Sequence, residues 1–185
     1  VCRLLIWIPI AFLLAPATSS AHLLNMTEIH LDATRSDSVN LDIDIDLGQS
    51  LMTAEEYWSA ASSNSNKQAE VLRPIASQIK SGLQVKVNGS DVGFELDSWQ
   101  LTASSLQAIK NPFSPQMAQL FFKLEASIPA DASIELRIDD QLEVPWPALL
   151  RVDHSASPLP ASRLLTERER SSRPIYFGEK TASTE

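Results

Sequence analysis

Apolar and polar residues alternate along much of this chain, most clearly in the segment VNLDIDIDLG at residues 39–48. Five apolar residues share one parity in this segment: Val39, Leu41, Ile43, Ile45 and Leu47. Because side chains two apart on a β-strand point to the same face, the pattern predicts a strand with one buried face. It also predicts that Asp42, Asp44 and Asp46 lie together on the solvated face.

The three aspartates also resemble the start of an EF-hand calcium loop, which needs glycine at its sixth position and a bidentate glutamate at its twelfth. Counted from Asp42, the sixth residue is Leu47 and the twelfth is Thr53. The intervening residues Ile43 and Ile45 are β-branched and favour a strand over a tight loop. These departures favour the strand and exclude the calcium loop.

The same period-two pattern predicts further strands along the chain. Residues 29–33 alternate and precede the turn sequence TRSDS, so they are expected to form a hairpin with the aspartate-rich strand. A second hairpin is predicted around the Asn88-Gly89 turn, between alternating residues at 83–87 and 92–96. Later strands are predicted at 120–126, 134–138, 142–152, 163–166 and 175–177. Pro145 and Pro147 predict that the strand within 142–152 lies at a sheet edge or a bulge.

A helical insertion interrupts the alternation. Thr53 and Glu56 have the spacing of a capping box that starts a first helix. A second helical run is expected to end at Gly82 as its cap, and Pro74 either kinks this helix or starts a new one.

Because clean alternation leaves one solvated face per sheet, the predicted fold class is mainly β. It is an antiparallel β-sandwich, immunoglobulin-like, with a helical insertion at about 53–82.

The N-terminus has the three parts of a secretory signal peptide. Arg3 precedes an apolar run of 11 residues, and small residues follow it. The run is shorter than the ~18 residues expected of a membrane-spanning helix. Cleavage is expected after Ala21 or after Ala17. The predicted domains are a signal peptide at 1–21, a periplasmic β-sandwich domain at 22–178, and a tail or linker toward a membrane region at 179–185.

Removal of residues 1–21 leaves 14 Lys and Arg against 23 Asp and Glu, a net charge of −9, and takes away the only cysteine, Cys2. The mature chain then has no disulfide, and its acidic balance argues against nucleic acid as a partner. The expected location is the periplasm or the extracytoplasmic face of a bacterial membrane. The expected partner is a membrane-embedded region of the same full-length protein or another envelope protein.

The sequence has no motif that indicates catalysis. It lacks GxSxG, a phosphate-binding glycine loop, HExxH and a cysteine cluster. Asp153 and His154 are adjacent, but no spacing supports a triad with a serine, and surface roles are expected for both. We therefore expect no enzyme activity, no catalytic residue and no cofactor-binding residue.

One alternative is a metal site at the mature N-terminus. If cleavage follows Ala21, the α-amino group and imidazole of His22 could together chelate copper or nickel, ions that imidazole suits. His30 has the parity to share a strand face with His22, and His154 is a candidate third ligand. Against this, His22 and His30 would lie about 26 Å apart on a straight strand that rises ~3.3 Å per residue.

Three segments together resemble a known family: the mature start AHLLNMTEIHLDA, the hairpin and helical insertion that follow, and the tail SRLLTERERSSRPIYFGE. They are similar to the extracytoplasmic N-terminal region of the HupE/UreJ-like bacterial membrane proteins, over nearly all of residues 21–180. The resemblance implies a soluble β-rich domain followed by several membrane helices, in a family whose relatives are implicated in nickel or cobalt uptake. No apolar run after the signal segment is long enough to span a membrane, so no transport residue of the family is assigned here.

The expected function is that of a non-catalytic extracytoplasmic domain, the soluble N-terminal part of such a membrane protein, with a ligand-capture or assembly role. The alternative is a periplasmic copper- or nickel-binding protein that uses His22. A hydrolase with an unrecognised site is a third hypothesis.

Overall fold

The structure is a computed structural model and describes residues 26–35 and 39–177. This part of the chain is mainly β, with two sheets and few helices, and none of its helices is long and apolar enough to cross a membrane. The strands are β1 (Thr27–Ala33), β2 (Asn40–Ile45), β3 (Leu83–Val87), β4 (Ser90–Val92), β5 (Phe94–Leu101), β6 (Ala118–Leu124), β7 (Ser133–Ile138), β8 (Ala148–His154), β9 (Ala161–Leu165) and β10 (Ile175–Tyr176). The helices are α1 (Ala54–Ala61), α2 (Ser65–Gly82) and α3 (Leu106–Ile109), and a 3-10 turn lies at Leu47–Gln49.

The strands form a six-stranded sheet in the order β5-β6-β2-β1-β8-β9 and a four-stranded sheet in the order β10-β7-β3-β4. Neighbouring strands are antiparallel except β1 and β8, which run parallel. The prediction of purely antiparallel sheets was wrong at this pair. Of the two positions predicted for this strand, a sheet edge or a bulge, the edge was wrong, because β8 lies between β1 and β9. Pro145 and Pro147 both precede the strand, so its backbone N–H groups are free to pair.

β1 and β2 form the predicted hairpin at the centre of the six-stranded sheet. Ile29 pairs with Ile43 and Leu31 pairs with Leu41, and none of these side chains is more than 3 % exposed. β6 lies on the other side of β2 and places Phe122 opposite Leu41, where Phe122 is also buried. The alternating residues of the central strands therefore form one continuous apolar face, as the sequence predicts.

Both sheets contribute to a single hydrophobic core. The four-stranded sheet supplies Val85, Ile134 and Leu136, and α1 supplies Tyr57, all at most 1 % exposed. Each aliphatic side chain buried in this way stabilises a fold by about 1.5–3 kcal/mol relative to an exposed one. The described residues include no cysteine, so apolar burial and hydrogen bonding hold this part of the chain together.

Asn88 and Gly89 make the turn between β3 and β4, as predicted. Their φ values are 52° and 79°, in the left-handed region that a two-residue hairpin turn of this kind requires. The hairpin is shorter than predicted, because β4 ends before Gly93 and Phe94 already belongs to β5. The chain therefore crosses at Gly93 from the four-stranded sheet to the six-stranded sheet.

The helical insertion begins as predicted, with a complete capping box formed by Thr53 and Glu56 at the start of α1. α2 then runs through Pro74 as one helix, and no new helix starts there. Gly82 is the last helical residue rather than a cap beyond the helix. A Cβ at this position would lie 2.5 Å from Cβ of Leu142, so glycine is required by close packing.

Ile43→Asp should unfold the domain, because Ile43 is 3 % exposed and the substitution places an unpaired charge in the core. Asp44→Asn, on the opposite face of the same strand, should change the free energy of unfolding by no more than about 0.5 kcal/mol. Circular dichroism and urea titration measure both variants. Greater damage from Asp44→Asn, or a higher melting temperature after addition of calcium, would contradict the assignment of this segment as a strand.

Candidate functional site

Outward-facing side chains of the four central strands surround a hollow of about 280 Å³ on the six-stranded sheet. We call this surface the His30 face, and it is formed by Glu28, His30, Asp42, Asp44, Gln119, Phe121, Leu149 and Arg151. Strand pairing sets its layout, because His30 lies opposite Asp42 on one side and Arg151 on the other. The alternation that buries the inward residues therefore brings these polar groups together.

His30 has a carboxylate on each side. Its Nε2 lies 2.7 Å from Oδ2 of Asp153, and its Nδ1 lies 4.0 Å from Oδ2 of Asp42. Because an ionised carboxylate only accepts hydrogen bonds, Nε2 carries the hydrogen and donates it to Asp153. Arg151 contacts the same carboxylate, with Nη2 3.2 Å from Oδ2. The orientation of the imidazole is therefore set by side chains on β8 and β2.

The pKa of the Asp42 carboxyl is raised. Partial burial is the largest cause, and the charges of Asp44 and Asp32 add to it, while the charge of His30 opposes it. A raised pKa indicates that the ionised carboxylate is less well stabilised at this position than it would be in water. A positively charged group beside Asp42 would offset part of this loss.

The His30–Asp153 pair has the geometry of a base and its orienting carboxylate, but a catalytic triad also needs a nucleophile. Among the described residues, no serine, threonine or cysteine side chain is hydrogen-bonded to His30. Nor does the described part of the chain contain a group of three or more His, Cys, Asp or Glu side chains arranged to hold a metal ion. What the geometry provides is a charged and partly recessed surface.

His154 is buried, at 2 % exposure, so the surface role expected for it was wrong. Its ring stacks on Phe177 with centroids 4.4 Å apart. Nδ1 accepts a hydrogen bond from the backbone of Ala156 at 3.0 Å, and Nε2 donates to the carbonyl of Pro129 at 3.2 Å. Both ring nitrogens are thus used by the fold, so the suggestion of His154 as a third metal ligand was also wrong. His22 lies outside the described residues.

Asp46 does not lie on the solvated face with Asp42 and Asp44, as the sequence predicts, because it is 1 % exposed. β2 ends at Ile45 and the chain passes directly into the 3-10 turn, so the period-two alternation stops just before Asp46. Neither carboxylate oxygen has a hydrogen-bond partner among the described residues. A buried charge without partners is strongly unfavourable, so this position favours the neutral acid.

Burial raises the pKa of the Asp46 carboxyl. Backbone N–H groups of three nearby residues oppose this shift without reaching hydrogen-bond geometry: Gln116, Gln49 and Gly48. The surroundings are tightly packed, since a Cβ on Gly48 would lie 2.5 Å from Cγ2 of Ile109. Close packing therefore keeps bulk water away from a carboxyl that has no partner of its own.

Tyr57 does not compensate this carboxyl. Its hydroxyl donates instead to the carbonyl of Thr102, at 3.0 Å. Burial raises the pKa of Tyr57 to about 12, and the nearby Asp46 charge adds to the shift. The phenol therefore stays neutral, and its O–H group is not available to Asp46.

No family model matches the chain, and no curated protein matches it significantly. The resemblance to the HupE/UreJ-like proteins therefore stays a proposal.

Asp46→Asn should stabilise the domain near neutral pH, and the gain in free energy of unfolding should be smaller at acidic pH. Because the folded-state pKa is raised, Asp46 stabilises the fold below the unfolded-state pKa of about 3.9, and this contribution is lost as pH rises through the folded-state value. We expect the free energy of unfolding to exceed that of the wild type by about 1 kcal/mol or more near neutral pH. The difference should shrink as the pH falls toward about 4.

Urea titrations of the two proteins across this pH range measure the difference directly. Asp44→Asn is the matched control, since it makes the same substitution on the solvated face. If Asp46→Asn is less stable than the wild type near neutral pH, the ionised carboxylate has a partner and the account of a buried neutral acid fails.

Proposed function

We propose that this chain is a non-catalytic extracytoplasmic domain, the soluble N-terminal part of a HupE/UreJ-like membrane protein, with a role in ligand capture or assembly. The observation that carries the proposal is the His30 face, a partly recessed charged surface on the six-stranded sheet. His30 and Arg151 both contact the carboxylate of Asp153, which holds the two side chains in place. Such a surface suits contact with a partner better than conversion of a substrate.

The proposed partner is a membrane-embedded region of the same full-length protein or another envelope protein. It contacts the His30 face through a basic side chain. Glu28, Asp42 and Asp44 supply negative charge at this face, beside the apolar side chains of Phe121 and Leu149. Complementary charge of this kind speeds association and selects among partners.

The proposed architecture is an immunoglobulin-like sandwich of the two sheets. A single core that draws on both sheets is what face-to-face packing produces. In the parallel pair β1 and β8, the inward-facing residues lie opposite one another, as they do in the antiparallel pairs. Ile29 pairs with Leu150, and both are buried. Mixed pairing is therefore compatible with one buried face on the six-stranded sheet.

The alternative, a periplasmic copper- or nickel-binding protein, depends on His22. The described residues add no observation in its favour. His154 is used by the fold through both ring nitrogens, and Nε2 of His30 is bonded to Asp153. A non-catalytic binding role is the function that the geometry supports best, and the N-terminal sequence pattern adds the proposal that the domain is exported.

Export predicts a specific mature N-terminus. When the gene is expressed in a bacterium, N-terminal sequencing of the secreted protein should begin at His22, or at Thr18 if the second small-residue site is used, because signal peptidase cleaves after small residues. Recovery of the protein in the membrane fraction with residues 1–21 still attached would contradict cleavage.

The link to a membrane protein is tested separately by reading the gene downstream of codon 185. The proposal predicts several apolar segments of about 20 residues in the same reading frame, each long enough to span a bilayer. A stop codon directly after codon 185 would remove the membrane-protein part of the proposal and leave the export prediction standing.

A further inference from the structure

A groove of about 710 Å³ lies between α2 and β5, and it shares no residue with the His30 face. The helix side is built mainly from small side chains: Ala69, Ala76, Ser77 and Ser81. Trp99 lines the strand side, where its indole Nε1 donates to Oε1 of Gln68 at 3.0 Å and fixes the ring. Small side chains on one wall and a fixed aromatic ring on the other leave room for a second backbone.

β5 is an edge strand of the six-stranded sheet, and its eight residues make it longer than the other edge strands β4, β9 and β10. In the described part of the chain, the backbone groups of residues 95–101 hydrogen-bond to no element other than β6. A bulge between Leu96 and Ser98 divides the strand into two regular parts. Free N–H and C=O groups are therefore available beside the groove.

The groove carries more positive than negative charge, in a chain whose formal net charge is −8. Lys80 on α2 forms a salt bridge with Glu95 on β5. Arg73 also lines the groove, and it has no acidic partner among the described residues. An occupant with a carboxylate would complete this pairing.

We propose that the groove binds an extended peptide segment of a partner protein that carries an acidic side chain. The segment lies along β5 as an added strand and hydrogen-bonds to its free edge. Its carboxylate pairs with Arg73, and its side chains contact Trp99 and the small residues of α2. Added strands of this kind gain affinity from main-chain hydrogen bonds and specificity from side-chain contacts. The inference depends neither on export nor on the His30 face.

The test uses a fluorescein-labelled peptide of seven alternating Val and Thr residues with Asp at its centre, and a matched peptide with Lys at the centre. Fluorescence polarisation should show binding of the Asp peptide and weaker binding of the Lys peptide. Arg73→Glu should weaken binding of the Asp peptide by about fivefold or more, because an attraction becomes a repulsion. Lys67→Glu, the same charge change on α2 outside the groove, is the matched control and should leave binding unchanged.

Hydrogen exchange locates the peptide. With the Asp peptide bound, the amides within residues 95–101 that point away from β6 should become more protected, and those of β9, at the opposite edge, should not. Equal affinity for the two peptides, equal effects of Arg73→Glu and Lys67→Glu, or unchanged protection of β5 would overturn the proposal. It would also be overturned if sedimentation showed a dimer in which the outward-pointing amides of β5 were already protected without peptide.

Discussion

The structure depends above all on the need to cover the inner face of the six-stranded sheet. Leu31, Leu41 and Leu120, on three adjacent central strands, are all completely buried. Removing that apolar surface from water is worth about 25 cal/mol per Å², and no cysteine within the described residues adds a covalent restraint. The four-stranded sheet and Tyr57 of α1 contribute to the same core. The position of the His30 face follows from this burial, because residues next to the buried ones point to the opposite side of the sheet.

The alternation that buries the inner face of the six-stranded sheet also forms the His30 face on its outer side. Because side chains alternate along a strand, burial of Ile29 and Ile43 forces His30 and Asp42 outward onto neighbouring positions. Their carboxylate and imidazole groups are then close enough to interact, with partial burial raising the pKa of Asp42. Asp46 has the parity of Asp42 but is buried, because β2 ends at Ile45 and the alternation stops there. Its carboxylate has no hydrogen-bond partner among the described residues.

Local patterns predict the strands and hairpins of this protein well, because each depends on residues that are near in sequence. The Asn88-Gly89 turn and the Thr53 capping box are examples. Contacts between distant segments have no local signal. The hydrogen bond from His30 to Asp153 joins residues 123 apart, and the parallel pairing of β1 with β8 is equally remote. Asp46 was misplaced because alternation does not show where a strand stops.

β1 and β8 are interior strands of one sheet whose inner face forms part of the core, and native-state amide hydrogen exchange distinguishes this order from one in which β8 lies at an edge. Amides of Leu31 and Val152 should exchange only through global unfolding, because both residues are completely buried in paired strands. Outward-facing amides of the edge strand β9 should exchange much faster. If the amides of β8 exchanged as fast as those of β9, β8 would be an edge strand, and the order β5-β6-β2-β1-β8-β9 would be wrong.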